Sequence, residues 1–213
     1  MRHIHSHEAP TTLGDRFAYA LAYGVDLWAD FLFRDRYAHR ALVLESIAAV
    51  PGMIGALLIQ LRSARRLSSD HGMVRALVSE AENERMHLLV FRQIAIPLWW
   101  ELAVIKIGQL VFVAGYFILY VLAAPVAHRL VAYLEENTIG SYSAYLDQLH
   151  SGRQRNAPAP PMAIAYWRLP PTATLIHVVT AIRDDEAEHR DQNHALARPD
   201  GVPHLRAIPW GGR

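Results

Sequence analysis

The chain contains no cysteine. Disulfides, thiolate metal sites, iron–sulfur clusters and thiol regulation are therefore excluded, and any metal must be held by His, Asp or Glu. Charge is scarce as well: 19% of the 213 residues are charged and the formal net charge is +1. Net charge thus points to no electrostatic partner, and no basic stripe with interleaved aromatics argues for nucleic acid. The opening MRHIHSHEAP is polar, with no apolar run ahead of a cleavage site, so no secretory signal is expected. His3, His5 and His7 could take up metal adventitiously, but a mobile N-terminal arm over residues 1–11 is the expectation. No Gly/Ser linker, internal repeat or β alternation interrupts the pattern.

What is abundant is apolar: 52% of residues, high for a soluble domain. The periodicity predicts six helical segments in a single all-α domain spanning 1–213. They run from about Thr12 to Phe33, Arg40 to Leu67 with a kink at Pro51 and Gly52, and Met73 to Ile96 with Asp70 as N-cap. The remaining three run from Trp99 to Ala124, ending before Pro125, from Val126 to Leu149, and from Pro171 to Ala197 with Pro171 in the first turn. A loop over 150–170 and a tail over 199–213 complete the expectation.

The segment IGQLVFVAGYFILYVLAAPVA (Ile107 to Ala127) is about the length that crosses a bilayer. Lys106 and Arg129 flank it, and Trp99, Trp100, Tyr116 and Tyr120 are residue types found at headgroup level. The residues alone leave three readings open: a spanning helix, a helix lying in the interface, or a buried core helix.

The chemistry sits in carboxylates and imidazoles. Glu84 and His87 in NERMHL are three apart, and so share one helix face. Glu186 and His189 in DDEAEHRDQNH repeat the spacing. One such pair is unremarkable; two, each in a strong helical pattern, are not. Glu45 lies among Leu42, Val43, Leu44, Ile47 and Ala48, and Glu135 lies in RLVAYLEENTIGSY. A lone buried carboxylate is expensive unless paired or metal-bound. Two helices with one Glu each and two with Glu-x-x-His form the di-iron carboxylate pattern of ferritin-like four-helix bundles. The register agrees: Leu77, Ala81, Glu84, Leu88 and Phe91 make one stripe, and Leu175, Val179, Ile182, Glu186, His189 and Asn193 another. Four carboxylates balance two divalent iron or manganese ions.

These residues resemble the alternative oxidases, membrane-associated di-iron quinol oxidases of respiratory chains. The resemblance covers roughly Arg40 to His194. LES (Leu44 to Ser46) with VPGM (Val50 to Met53) is similar to the family's Leu-Glu-Thr motif, and NERMHL is identical to a family motif. LEEN (Leu134 to Asn137) is similar to Leu-Glu-Glu-Glu, and RDDEAEHRDQNH to Arg-Ala-Asp-Glu-x-x-His-Arg-Asp-x-Asn-His. The complete NERMHL favours the respiratory branch over the plastid terminal oxidases.

The resemblance implies two non-haem irons (Fe2+/Fe3+) on Glu45, Glu84, His87, Glu135, Glu186 and His189. It implies a redox tyrosine at Tyr142, and Asn83, Asp185, Trp167 and His128 around the metals. Arg40, Leu44, Leu134, Asn137, Thr138 and Ser141 fall at quinol-pocket positions. The implied reaction is ubiquinol oxidation with reduction of O2 to water, insensitive to cyanide and without proton pumping; a di-iron quinone-ring hydroxylase is the alternative. The implied fold adds two membrane-binding helices, the first and fourth segments, to the bundle, so the chain would be monotopic and homodimeric. The regulatory cysteines of plant members and a transit peptide are absent. That implies a bacterial protein on the cytoplasmic face of the inner membrane. The departures fall in the pocket: Ser46 and Ser141 keep a hydroxyl, Asn137 replaces a carboxylate, and Thr138 an alanine. No arginine lies between Phe17 and Phe33, where the family has one.

Overall fold

The computed structural model describes Ile4 and residues 6–198; His3, His5 and the tail from 199 to 213 lie outside the described residues. Helix α1 (Leu13–Phe33) starts at a capping box, in which Thr12 Oγ1 accepts from the Asp15 N–H at 3.0 Å and Asp15 Oδ2 accepts from the Thr12 N–H at 2.9 Å. Helix α2 (Tyr37–Arg66) continues as helix through Pro51. Gly52 beside it has a packing role, because a Cβ there would lie 2.5 Å from the Leu77 carbonyl oxygen of the neighbouring helix. Helix α3 (Met73–Ile94) begins after Gly72, which takes a φ of 82° as N-cap. Asp70 still caps, from two residues further out than expected: its Oδ2 accepts from the Val74 N–H at 2.9 Å.

The two helices expected on either side of Pro125 are both present and follow one another as α4 (Trp99–His150), with a kink between them where Ala123 leaves helical geometry (φ −155°, ψ 69°). Pro125 has no N–H for the carbonyl four residues back and its ring crowds that turn, so the chain yields locally instead of stopping. The expected 150–170 loop contains a short helix, α5 (Pro161–Trp167). Helix α6 (Leu175–Leu196) starts four residues after Pro171, with Thr174 as its N-cap, whose backbone N–H meets His177 Nδ1 at 3.2 Å.

Among the described residues all regular structure is helical apart from one isolated bridge, Pro158 to Thr174. Helix α2 packs along α3, and α4 along both α6 and α1. Helices α2, α3, the second half of α4 and α6 enclose the centre of a four-helix bundle. Leu42, Val90, Phe91, Tyr142, Leu146, Val178 and Ile182 fill one end of it. Helix α1 and the first half of α4 lie outside and show large apolar side chains, including Leu13, Phe31, Ile107, Leu110 and Leu122. The described part of the N-terminal arm is held down: Glu8 receives Arg129 NH1 at 2.7 Å, Tyr133 donates to the Glu8 carbonyl at 3.0 Å, and His7 meets Glu136 at 2.5 Å.

Candidate metal centre

Each bundle helix turns acidic or imidazole side chains into the interior. Glu45 comes from α2, Glu84 and His87 from α3, Glu135 from α4, and Glu186 and His189 from α6; all six are buried. The one-face spacing read from sequence is what delivers them together, since residues three apart on a helix project side by side.

The geometry is nearly two-fold. His87 Nδ1 lies 3.3 Å from Glu84 Oε2 and 3.2 Å from Glu186 Oε1. His189 Nδ1 lies 2.6 Å from Glu84 Oε1 and 3.6 Å from Glu186 Oε2. Glu84 and Glu186 therefore each turn one oxygen toward each imidazole. Glu45 joins the His87 side, its Oε2 3.7 Å from Nδ1, and Glu45, Glu84, His87 and Glu186 offer ligand atoms all within 4.8 Å of one another. Glu135 lies close enough to feel the charges of Glu186 and Glu84 and to hydrogen-bond Glu186.

The polar atoms aimed at this centre have only one another. Both oxygens of Glu84 and of Glu186, Glu45 Oε2, and Nδ1 of His87 and His189 are buried, and apart from the close carboxylate–imidazole contacts among themselves they have no hydrogen-bond partner. Leaving so many polar atoms unsatisfied is costly, whereas two cations shared by four carboxylates and two imidazoles would satisfy all of them. The donor set thus fits two hard or borderline divalent ions. Burial and crowding shift the acidity of these groups. Burial, then the charges of Glu186 and Glu84, push Glu45 up to about 8, and burial with the same neighbours pushes Glu135 well up. Burial would raise Glu84 too, but the His189 and His87 charges hold it well below the usual carboxylate range.

A second layer fixes the first. His87 Nε2 faces Asp185 Oδ2 at 3.3 Å, which leaves Nδ1 for the centre. Asp185 Oδ2 also accepts from Asn83 Nδ2 at 2.9 Å and Trp167 Nε1 at 2.8 Å, and Trp167 stacks on His87 at 5.9 Å between centroids. Tyr142 donates its phenol hydrogen to Glu45 Oε1 and stacks on Phe91; burial, then the Glu45 charge, push its hydroxyl well up. His128 does not reach the centre. Its Nδ1 meets Asn193 Oδ1 at 2.8 Å and its Nε2 meets Tyr120 at 3.3 Å; Asn193 in turn donates to the His189 carbonyl at 3.0 Å.

A slot of about 80 Å3 runs from Glu45, Glu84, Glu135 and Glu186 outward between α1, α2 and α4. Arg40, Leu44, Leu134, Asn137 and Thr138 line it, with Phe112 from the outer half of α4; Ser141, expected there, is not among its lining residues. The slot also reveals Asp26, which the sequence reading missed, although Asp26 and Asp30 lie four apart on one face of an apolar helix. A second, polar cleft of about 310 Å3 opens between α3 and α6 beside Glu80, Asn83, Tyr166, Asp185 and His189. Glu80 was missed because SEAENER reads as a solvated charge run, yet it is 6% exposed.

Comparison with known proteins agrees with this geometry. The family model described as alternative oxidase matches residues 2–198. The chain is 48% identical over 188 residues to ubiquinol oxidase 2, mitochondrial, of Nicotiana tabacum, covering 88% of this chain and 63% of that protein. It is 50% identical over 188 residues to ubiquinol oxidase 1a, mitochondrial, of Oryza sativa subsp. japonica, covering 88% of this chain and 57% of that one. The Arabidopsis thaliana ubiquinol oxidase 1a, mitochondrial, is 47% identical over 191 residues, covering 90% and 54%. The chain thus spans between 54% and 63% of the length of these relatives.

Proposed function

The chain belongs to the alternative oxidase family, and from that premise we propose that it oxidises a ubiquinol-type quinol and reduces O2 to water at a non-haem di-iron centre. The observation that carries the reading is the set of buried, unpartnered carboxylate and imidazole atoms at the inner end of a slot that opens beside the apolar faces of α1 and α4. Glu45, Glu84, His87, Glu135, Glu186 and His189 would hold the irons. Once bound, the irons supply electrons to O2, two quinols being needed for the four that reduction to water consumes.

The chain's own residues do the rest. The apolar walls of the slot exclude water and admit a quinol ring from the lipid side. Arg40, Asn137 and Thr138 give that ring its polar contacts. Asp185 holds His87 in the tautomer that keeps Nδ1 aimed inward. Tyr142, bonded to Glu45, is placed to give up an electron and a proton during O–O cleavage. The quinol hydroxyls supply the protons of the product water. No haem or copper takes part, so cyanide inhibits weakly, and nothing in the arrangement couples the reaction to proton pumping.

The exposed apolar side chains of α1 and of α4 before Ala123 form a surface large enough to require lipid. Two helices, Tyr37–Arg66 and Trp99–His150, are long and apolar enough to cross a membrane by length and composition. The first is a bundle wall and the second bends at Ala123 into the bundle, which supports a monotopic protein dipping into one leaflet. Met53, Leu57 and Leu61 make a separate exposed stripe on α2, suited to a homodimer packed through bundle helices. The location proposed with this reading is the cytoplasmic face of a bacterial inner membrane.

The test is an oxygen electrode. Detergent-purified, iron-loaded protein given a short-chain ubiquinol should consume one O2 per two quinols, with cyanide having little effect. A hydroxylated quinone as product would instead make the chain a ring hydroxylase, and no O2 uptake would overturn both.

A further inference from the structure

The outer end of the slot holds a charge arrangement that the family resemblance does not supply. Arg40 is 5% exposed and is gripped by two carboxylates: Asp30 on NH1 and Asp26 on NH2. Asp26 lines the slot and Asp30 does not. Asp26 meets Arg40 through Oδ1, which leaves its second oxygen for a ligand. Arg40 Nε is buried and makes no hydrogen bond, a costly state that an acceptor in the slot would relieve. Across the slot Asn137 donates Nδ2 to the Ala22 carbonyl at 3.1 Å. Its amide is tied to α1 and brings no charge. Beyond the metal-facing carboxylates, Asp26 and Arg40 are therefore the charged groups that face a ring in the slot.

We infer that Asp26 and Arg40 form a headgroup clamp that selects the reduced quinol over its quinone product. This rests on the quinol-oxidase reading. A quinol hydroxyl can donate to Asp26 while its oxygen accepts from Arg40 Nε. A quinone oxygen can only accept. Oxidation therefore leaves the carboxylate facing a carbonyl oxygen with no hydrogen between them, and the product is driven out. Hydrogen bonds to a carboxylate are among the stronger neutral–charged contacts. Burial, offset by Arg40 and reinforced by Asp30, raises Asp26 above the ordinary aspartate range; the carboxylate keeps its ion pair with Arg40, and so its acceptor oxygen.

The experiment is steady-state kinetics on the iron-loaded protein with a short-chain quinol, recording the quinol KM, product inhibition by the matching quinone, and iron content. In Asp26→Asn the amide can turn an N–H toward a quinone carbonyl. The preference, quinone inhibition constant over quinol KM, should fall on the order of tenfold or more, with iron content unchanged. Asp26→Glu keeps the charge and should recover most of the preference. An Asp26→Asn enzyme that weakens both ligands equally, or neither, overturns the clamp, and so does an Asp26→Glu enzyme no better than Asp26→Asn. If Asp26→Asn fails to fold, Asp26→Ser carries the same comparison, losing quinol affinity with quinone inhibition unmoved; equal loss of both again overturns the clamp. A wild type that consumes no O2 with quinol overturns the functional reading and takes the clamp with it; an active wild type with an unmoved variant ratio overturns the clamp alone.

Discussion

Helix α4 obeys opposite solvent rules on its two sides of Ala123. Before the bend, Ile107, Leu110, Val111, Ile118, Val121 and Leu122 are exposed; after it, Ala127, Val131, Glu135, Ile139, Tyr142 and Leu146 are buried. Only 17% of the helix's most apolar window is buried. Hydropathy alone would therefore place the wrong half inside. The second half carries its polar groups as single side chains among apolar ones, each with a partner or an aim: His128 with Asn193, Glu135 toward the carboxylate cluster, Tyr142 on Glu45. The first half buries few polar groups, and those where it meets the bundle: Glu101, held by Arg36 at 2.8 Å and His39 at 3.0 Å, and the hydroxyls of Tyr116 and Tyr120. A buried carboxylate needs a cation or a proton, and an exposed leucine needs lipid or a partner chain. The one helix thus carries both requirements of the proposed membrane-bound metalloenzyme.

The largest effect should come from the inner region. Glu84→Ala and His189→Ala should each lose most bound iron and essentially all turnover, because removing one ligand leaves the others' charges unbalanced in a closed site. Tyr142→Phe should break the symmetry of that result, keeping iron and membrane binding while turnover falls by orders of magnitude. If the tyrosine were only a packed core residue, the cost would be about 1 kcal/mol of stability for one hydrogen bond and activity would remain. Iron analysis and O2 uptake on the same preparations decide: full iron with normal turnover in Glu84→Ala removes the ligand assignment, and in Tyr142→Phe removes the tyrosine from the chemistry.

The outer region should respond in the opposite sense. Leu110→Asp combined with Leu122→Asp places two charges where lipid is expected. Vesicle binding should fall on the order of a hundredfold, since each exposed leucine is worth about 1.5–3 kcal/mol when buried in an apolar phase. The melting temperature in detergent should barely move, as neither side chain touches the bundle core. A large loss of thermal stability with intact vesicle binding would mean that this half packs on protein instead.

The bundle was legible because its ligands repeat at helical spacing: two Glu-x-x-His pairs and two lone glutamates in apolar stretches leave few other folds. The helix ends were legible where Pro and Gly punctuate, as at Pro97 and Gly72. Pro125 was legible as well, since helical geometry breaks at Ala123, two residues before it. Helix α5 was hidden by its seven-residue length after a proline-rich run, and it sets Tyr166 and Trp167 beside Asp185. Asp26 and Glu80 were illegible for a common reason. Each has an acid four residues on, Asp30 and Glu84, so spacing places it on a shared face, but whether that face is solvated or enclosed depends on which helices pack over it.

Glu80 gives the smallest and most separable effect, because it sits beside the centre without being placed in it. It accepts from Asn193 Nδ2 at 2.9 Å and Gln192 Nε2 at 3.2 Å. Burial, opposed by the His189 charge and the Asn193 hydrogen bond, lifts its carboxyl from 4.5 to about 7. Below 4.5 the group is protonated in both the folded and the unfolded chain, and it contributes nothing to the pH dependence. Between 4.5 and 7 the unfolded chain releases the proton that the fold retains, so stability falls as pH rises; above 7 the loss is complete. Glu80→Gln has no proton to lose. It should match wild type near pH 5 and exceed it at pH 8 by about 2 kcal/mol, less than the full shift implies because the new amide must turn an N–H toward Gln192. Paired melting curves at the two pH values measure the difference directly. A variant less stable than wild type at both values would mean that Glu80 is ionised in the fold and held by its two amide donors and the charge of His189.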